Sequence, residues 1–201
     1  MDVVANVSGE PEEGYKTNGE IQIVPSKVTI AGMKSVLDNI SQVTIPASAV
    51  NINNQNSNYK TSVNIFNYLP SGVESAEESF KGSVSVTVGI EKEIEKTYNI
   101  YFSKISFDSL PDGLSAEIIN NTEAALDNRV EIVAYGLEDE FDNVTASDIK
   151  VEADFDKYME ENNIAQINQG YMTVPLKVTL PEGLRVSDTL KIRIRVKADE
   201  T

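Results

Sequence analysis

The tightest constraint on this 201-residue chain is an internal copy. Residues 28–40 lie over residues 132–144, 104 positions further on: Val28, Ile30, Gly32, Met33, Leu37, Asp38, Asn39 and Ile40 fall on Ile132, Ala134, Gly136, Leu137, Phe141, Asp142, Asn143 and Val144. Every apolar position of the first copy is kept in the second except Val36, which meets Glu140. Downstream, the Leu-Pro-x-Gly turn signal of residues 69–72 recurs as residues 180–183 at a shift of 111, so about seven residues are inserted between the two landmarks. The polar stretch 158–169 is the expected place for them. A repeat of roughly 100 residues is long enough to bury its own core. The expectation is two tandem domains, 1–96 and 97–201, carrying net charges of −5 and −10.

Within each copy the dominant period is two, the mark of a strand with one buried face. Val84, Val86, Val88 and Ile90 alternate with Ser83, Ser85, Thr87 and Gly89, and Val174, Leu176, Val178 and Leu180 alternate with Thr173, Pro175, Lys177 and Thr179. Met33, Val36, Leu37 and Ile40 switch to helical spacing, as do Leu137, Phe141 and Val144 in part, which predicts one short helical turn after each glycine. Leu37 and Phe141 are expected to be buried at equivalent places on that turn. Gly32 and Gly136 are expected where the chain reverses, in a conformation that favours positive φ. The Leu-Pro-x-Gly signals predict turns, because proline cannot donate to a ladder. The fold class is therefore mainly β with short helical turns.

The order of elements resembles the YbbR domain: the strand, glycine and short helix of 28–40 and 132–144, the segment 147–154, the strand 170–178 and the turn 180–184. Residues 9–15, with Gly9, Pro11, Gly14 and Tyr15, resemble the lead-in that this family often carries. In the first copy, residues 46–50 and the Asn-rich run 51–58 depart from the pattern, replacing the family's Asp-containing strand and Gly-Tyr entry. The resemblance implies a small mixed β fold similar to the C-terminal domain of L25-type ribosomal proteins, carried in tandem outside a bacterial membrane. It further implies an anchor in a flanking segment, no catalytic residues, no cofactor, and for some members the binding and regulation of a membrane-bound diadenylate cyclase.

Composition narrows the chemistry. The 17 Lys and Arg stand against 32 Asp and Glu, a net charge of −15, and such a field repels phosphate backbones and anionic lipid. Nucleic acid is not an expected partner. Cysteine and histidine are both absent, which removes thiol nucleophiles, imidazole bases and the metal sites built from them. The acidic run Glu138, Asp139, Glu140 and Asp142, and Asp154 with Asp156, are read as a solvated acidic face against a calcium loop, since the EF-hand glycine and distal glutamate are missing. Ser57-x-x-Lys60 and Ser147-x-x-Lys150 have the spacing of penicillin-recognising enzymes without their partner motifs. Sequons stand at Asn6, Asn39, Asn120 and Asn143. The strand-like opening 2–7 directly after Met1, with neither a basic nor an apolar leader, reads as a piece cut from a longer protein.

One feature departs from the acidic background. Lys191, Arg193, Arg195 and Lys197 alternate with Ile192, Ile194 and Val196, placing four cations on one face of one strand. Two readings stand: a solvent face or edge strand whose cations discourage pairing, and a docking stripe for an acidic neighbour. The eight tyrosines are expected mostly as half-buried sheet residues rather than a sugar platform. The functional expectation is a non-catalytic, extracytoplasmic binding and regulatory module acting on a membrane diadenylate cyclase. The alternative is a general cell-surface adhesin or structural tandem β module.

Overall fold

A computed structural model describes residues 1–119 and 128–199. It is mainly β, and packing divides the chain into two units, Met1–Glu93 and Ile94–Thr201. The repeat shift puts the division after residue 96; packing puts it after Glu93, between two strands.

The first unit contains β1 (Val3–Ala5), β2 (Tyr15–Val24), β3 (Ile30–Ala31), the short helix α1 (Lys34–Leu37), β4 (Val43–Ile45), β5 (Tyr59–Asn64), β6 (Glu74–Ser75) and β7 (Ser83–Lys92). Its sheets are β2-β7-β5, the parallel pair β1-β4 and the antiparallel pair β3-β6. The second unit contains β8 (Ile94–Tyr101), β9 (Ile105–Ser106), β10 (Leu114–Ile118), β11 (Arg129–Gly136), β12 (Lys150–Ala153), the helix α2 (Phe155–Asn162), β13 (Gly170–Thr179), β14 (Arg185–Val186) and β15 (Lys191–Ala198). It builds a sheet β10-β15-β13-β12-β9 and a smaller one, β14-β11-β8.

The two units repeat the same pairings. Ile30 stands opposite Ser75 and Ala31 opposite Glu74; Ala134 stands opposite Val186 and Tyr135 opposite Arg185. Those pairs are related by the shifts of 104 and 111 read from the sequence. The parallel pair Val3 and Val43 has its counterpart in Ile105 and Val151, and Tyr59 opposite Val88 has its counterpart in Gly170 opposite Val196. The Leu-Pro-x-Gly segments close as turns: Val73 N–H bonds Pro70 O at 3.2 Å and Leu184 N–H bonds Pro181 O at 3.3 Å, with φ of +87° at Gly72 and +88° at Gly183. A side chain at either glycine would be strained.

Gly32 and Gly136 are glycines for a different reason from the one expected. Neither has positive φ. A Cβ on Gly32 would lie 3.0 Å from the carbonyl oxygen of Gly72, and one on Gly136 would lie 2.5 Å from Leu184 Cδ2 and 2.8 Å from Glu140 Oε2. The Leu-Pro-x-Gly turn therefore packs directly on each strand-end glycine, and lack of bulk is what the position requires.

Each unit has its own core. Val84, Val86, Val88 and Ile90 bury one face of β7 against Val43, Ile45, Val50 and Ile65. Ile192, Ile194 and Val196 of β15 join Ile132, Val151, Phe155 and Val174. Phe141 is buried with them, but Leu37 is only half-buried and α1 has no buried residue. The expected equivalence fails here because β11 is paired on both edges, whereas β3 is a two-residue strand paired on one. Pro175, expected to face outward, is fully buried. It sits where β13 ends its pairing with β15 and begins pairing with β12, a place where its missing N–H breaks no regular ladder. Its carbonyl accepts the Asp154 N–H at 2.8 Å, just ahead of α2.

The insertion is also distributed differently from the expectation. Residues 145–150 stand where the first unit has only residues 41–42, and the rest of the extra length makes α2 where the first unit has a single turn, Ala47–Ala49. Asp154 caps α2, its carboxylate accepting Lys157 N–H at 2.9 Å, and Asn163 closes it in the left-handed conformation at φ 54°.

Candidate docking surface

The cationic strand is not an edge. β15 lies between β10 and β13, so its row of cations runs along the middle of a sheet face. Strand alternation sends Ile192, Ile194 and Val196 into the core and leaves Lys191, Arg193 and Arg195 exposed and Lys197 half-buried on the opposite side.

Neighbouring elements supply acids to three of the four cations. Lys191 Nζ meets Glu161 Oε2 of α2 at 2.8 Å. Glu117 of β10 receives both Arg195, at 3.7 Å, and a short hydrogen bond from Lys197. That hydrogen bond holds the Glu117 carboxyl below its ordinary value of 4.5; partial desolvation opposes the shift, and the charges of Lys197 and Arg195 add to it. Arg193 meets no carboxylate among the described residues. Its guanidinium lies 5.6 Å from the ring centre of Tyr171, and that of Arg195 lies 5.7 Å from the same ring. Tyr171, 62% exposed, is the residue that the reading of the stripe missed. The signal was present: β13 pairs Tyr171 with Arg195, and in an antiparallel pair opposed residues share a face.

Tyr158, Glu161, Tyr171, Thr173, Lys191 and Arg193 line a depression of about 490 Å³ between α2 and the sheet. A second depression of similar size, mostly apolar, is lined by Ile100, Tyr101, Lys104, Ile149 and Lys150. Tyr15, Tyr59, Tyr135 and Tyr158 are half-buried and Tyr98 is buried, while Tyr68, Tyr101 and Tyr171 are exposed.

The acidic run is not a uniformly solvated face. Glu140 turns inward, Oε2 accepting the Leu137 N–H at 2.8 Å, with Gly136 and Gly183 pressed against the carboxylate. Among the described residues no cluster of three or more acids could hold a metal ion. Ser147 lies in a 3-10 turn with its hydroxyl 2.7 Å from that of Thr145, and Lys150 begins β12 with an exposed side chain. Ser57 precedes β5, and Lys60 lies within it with an exposed side chain. Asn6, Asn39 and Asn143 lie in loops; Asn120 is outside the described residues.

Two comparisons with known proteins bear on this geometry. The family model described as "YbbR-like protein" matches residues 1–90. The first unit is a YbbR-like domain. That assignment falls on the copy whose residues 46–58 depart from the family pattern. The pairing persists through the departure: Tyr59 opens β5 opposite Val88 where Gly170 opens β13 opposite Val196. The Asn58 side chain then accepts the Ile90 N–H at 2.9 Å. Along 188 residues, 94% of this chain, the sequence is 24% identical to "CdaA regulatory protein CdaR" of Bacillus subtilis (strain 168). The chain spans 34% of that protein's length. No solved structure matches the chain, so the likeness to L25-type ribosomal proteins rests on the family resemblance alone. Among the described residues no helix is long and apolar enough to cross a membrane.

Proposed function

We propose that this chain is a non-catalytic regulatory module of two YbbR-like domains, 1–96 and 97–201, that binds a membrane-bound diadenylate cyclase. On this reading it works on the extracytoplasmic face of a bacterial membrane, held there by a segment outside this sequence. The observation that carries the proposal is the similarity, running through both units, to a protein named as a regulator of CdaA. The paired registers of the two units support extending the domain assignment to the second.

Within that reading, the docking surface is the outer face of β13 and β15. Lys191, Arg193, Arg195 and Lys197 were the candidate stripe, and the geometry concentrates the free potential at Arg193. Lys191 is engaged by Glu161, while Arg195 and Lys197 are engaged by Glu117. Arg193 and the exposed ring of Tyr171 offer a cation and an aromatic surface side by side, the residue types enriched where interfaces concentrate their energy. An acidic segment of the cyclase is the matching partner surface.

The test is cyclase activity and association rate measured with the intact, membrane-anchored protein and the cyclase of the same organism in vesicles. Altered cyclic dinucleotide synthesis, with association slowed in R193E/R195E and more so at low salt, supports the proposal. Unchanged synthesis and no binding overturn the function. Binding that is indifferent to the double substitution moves the contact to another face.

A further inference from the structure

The two units differ in one respect that their shared register makes conspicuous: β11 has a strand on each edge and β3 has a strand on one. In the second unit β8 runs antiparallel to β11 along its whole length, pairing Ile94 with Gly136, Lys96 with Ala134 and Tyr98 with Ile132. The first unit keeps only the far end of that arrangement. Met1 exchanges both main-chain hydrogen bonds with Val28, at 2.7 and 2.9 Å, and Asp2 bridges to Lys27. By the shift of 104, Val28 is the counterpart of Ile132, so Met1 stands where Tyr98 stands.

Alternation along an antiparallel strand then fixes which groups are open. Thr29 turns toward β6, its carbonyl accepting Ala76 N–H at 3.0 Å. Val28, Ile30 and Gly32 turn the other way, and beyond Val28 no strand among the described residues pairs with that edge.

We infer that the edge formed by Ile30 and Gly32 is a strand-acceptor site for an extended lead-in segment of the β8 type, running antiparallel to β3 and entering the unit through the position of Met1. The occupant is defined by its chemistry. It is a short extended stretch that supplies its own N–H and C=O groups, as Ile94–Thr97 do; their side chains are exposed, so the ladder rather than side-chain burial carries the pairing. Each YbbR-like unit would then be completed by the strand that leads into it. This inference goes beyond the regulatory reading and does not depend on it.

A graft on the full chain tests it. Four residues copied from 94–97 are placed ahead of Met1, and amide hydrogen exchange is read at Ile30 and Gly32. The expected result is exchange slowed about tenfold or more at those two amides, with Thr29 and Ala31 nearly unchanged. A control graft with proline at its first and third positions, the ones opposite Gly32 and Ile30, loses both N–H donors to that edge and leaves exchange fast. Unchanged exchange with the β8-type graft overturns the inference. So does equal slowing by both grafts, since that would show general shielding instead of pairing.

Discussion

Glu140 accepts a hydrogen bond from the backbone N–H of Leu137, three residues earlier, at 2.8 Å. This is the one position at which the second copy replaces an apolar residue of the first, Val36, and the geometry explains the exchange. The carboxylate closes its own tight turn and lies against Gly136 and Gly183, so it ties the strand end to the turn that follows β13. Replacing Glu140 by Ala leaves a donor on buried Leu137 unpaired, at a cost of about 1–3 kcal/mol. Urea unfolding of E140A and E140Q distinguishes the roles: E140Q, which retains a side-chain acceptor, should recover much of the loss. Identical midpoints for wild type and E140A would remove the contact from the list of stabilising interactions.

Two residues that the sequence treats as equivalent should respond unequally to truncation. Phe141 is 5% exposed within the core of the second unit, and Phe141→Ala should cost about 3–5 kcal/mol. Leu37 is half-buried on a helix with no buried residue, and Leu37→Ala should cost about 1 kcal/mol. Thermal denaturation of the two variants decides, and equal losses would contradict the burial difference.

The cations of β15 should also separate by their partners. Arg193→Glu breaks no ion pair among the described residues and should shift stability by no more than about 0.5 kcal/mol. Glu117→Lys, by contrast, sets a third cation against Arg195 and Lys197 and should lower the melting temperature, with the loss reduced by added salt. A larger loss for R193E than for E117K would reverse the assignment of the free cation.

Acid sensitivity has a defined sign. Glu117 titrates below its ordinary value of 4.5 because Lys197 donates to it, and Asp148 below 3.8 because the Thr145 hydroxyl and then its amide donate. A carboxyl held lower in the folded state than in the unfolded one contributes stability above its unfolded value, and that contribution is lost as pH falls through the folded value. Below about pH 4.5, stability should therefore fall less steeply in E117Q than in wild type, while the two remain parallel near neutrality. Urea midpoints across pH 3 to 7 supply the comparison, and parallel curves down to pH 3 would show that Glu117 is not involved.

Much of the architecture could be read directly from the residues because it rests on local geometry. Alternation of period two is a property of the extended backbone, so the buried faces of β7 and β15 follow from their valines and isoleucines. The duplication was equally legible, since both copies keep a strand-end glycine and the Leu-Pro-x-Gly turn that packs on it, although about seven residues are inserted between them in the second. The reason for that glycine was not legible: the turn arrives from a distant part of the chain, and only its approach shows that the position lacks room instead of requiring positive φ. The cationic row was visible as an alternation, but its electrostatics were not. Lys197 finds Glu117 across 80 residues and Lys191 finds Glu161 across 30, and these long-range pairings leave Arg193 beside Tyr171 as the unmatched charge. A sequence determines which side chains share a strand face; which charges on that face are neutralised depends on what the tertiary fold sets beside it.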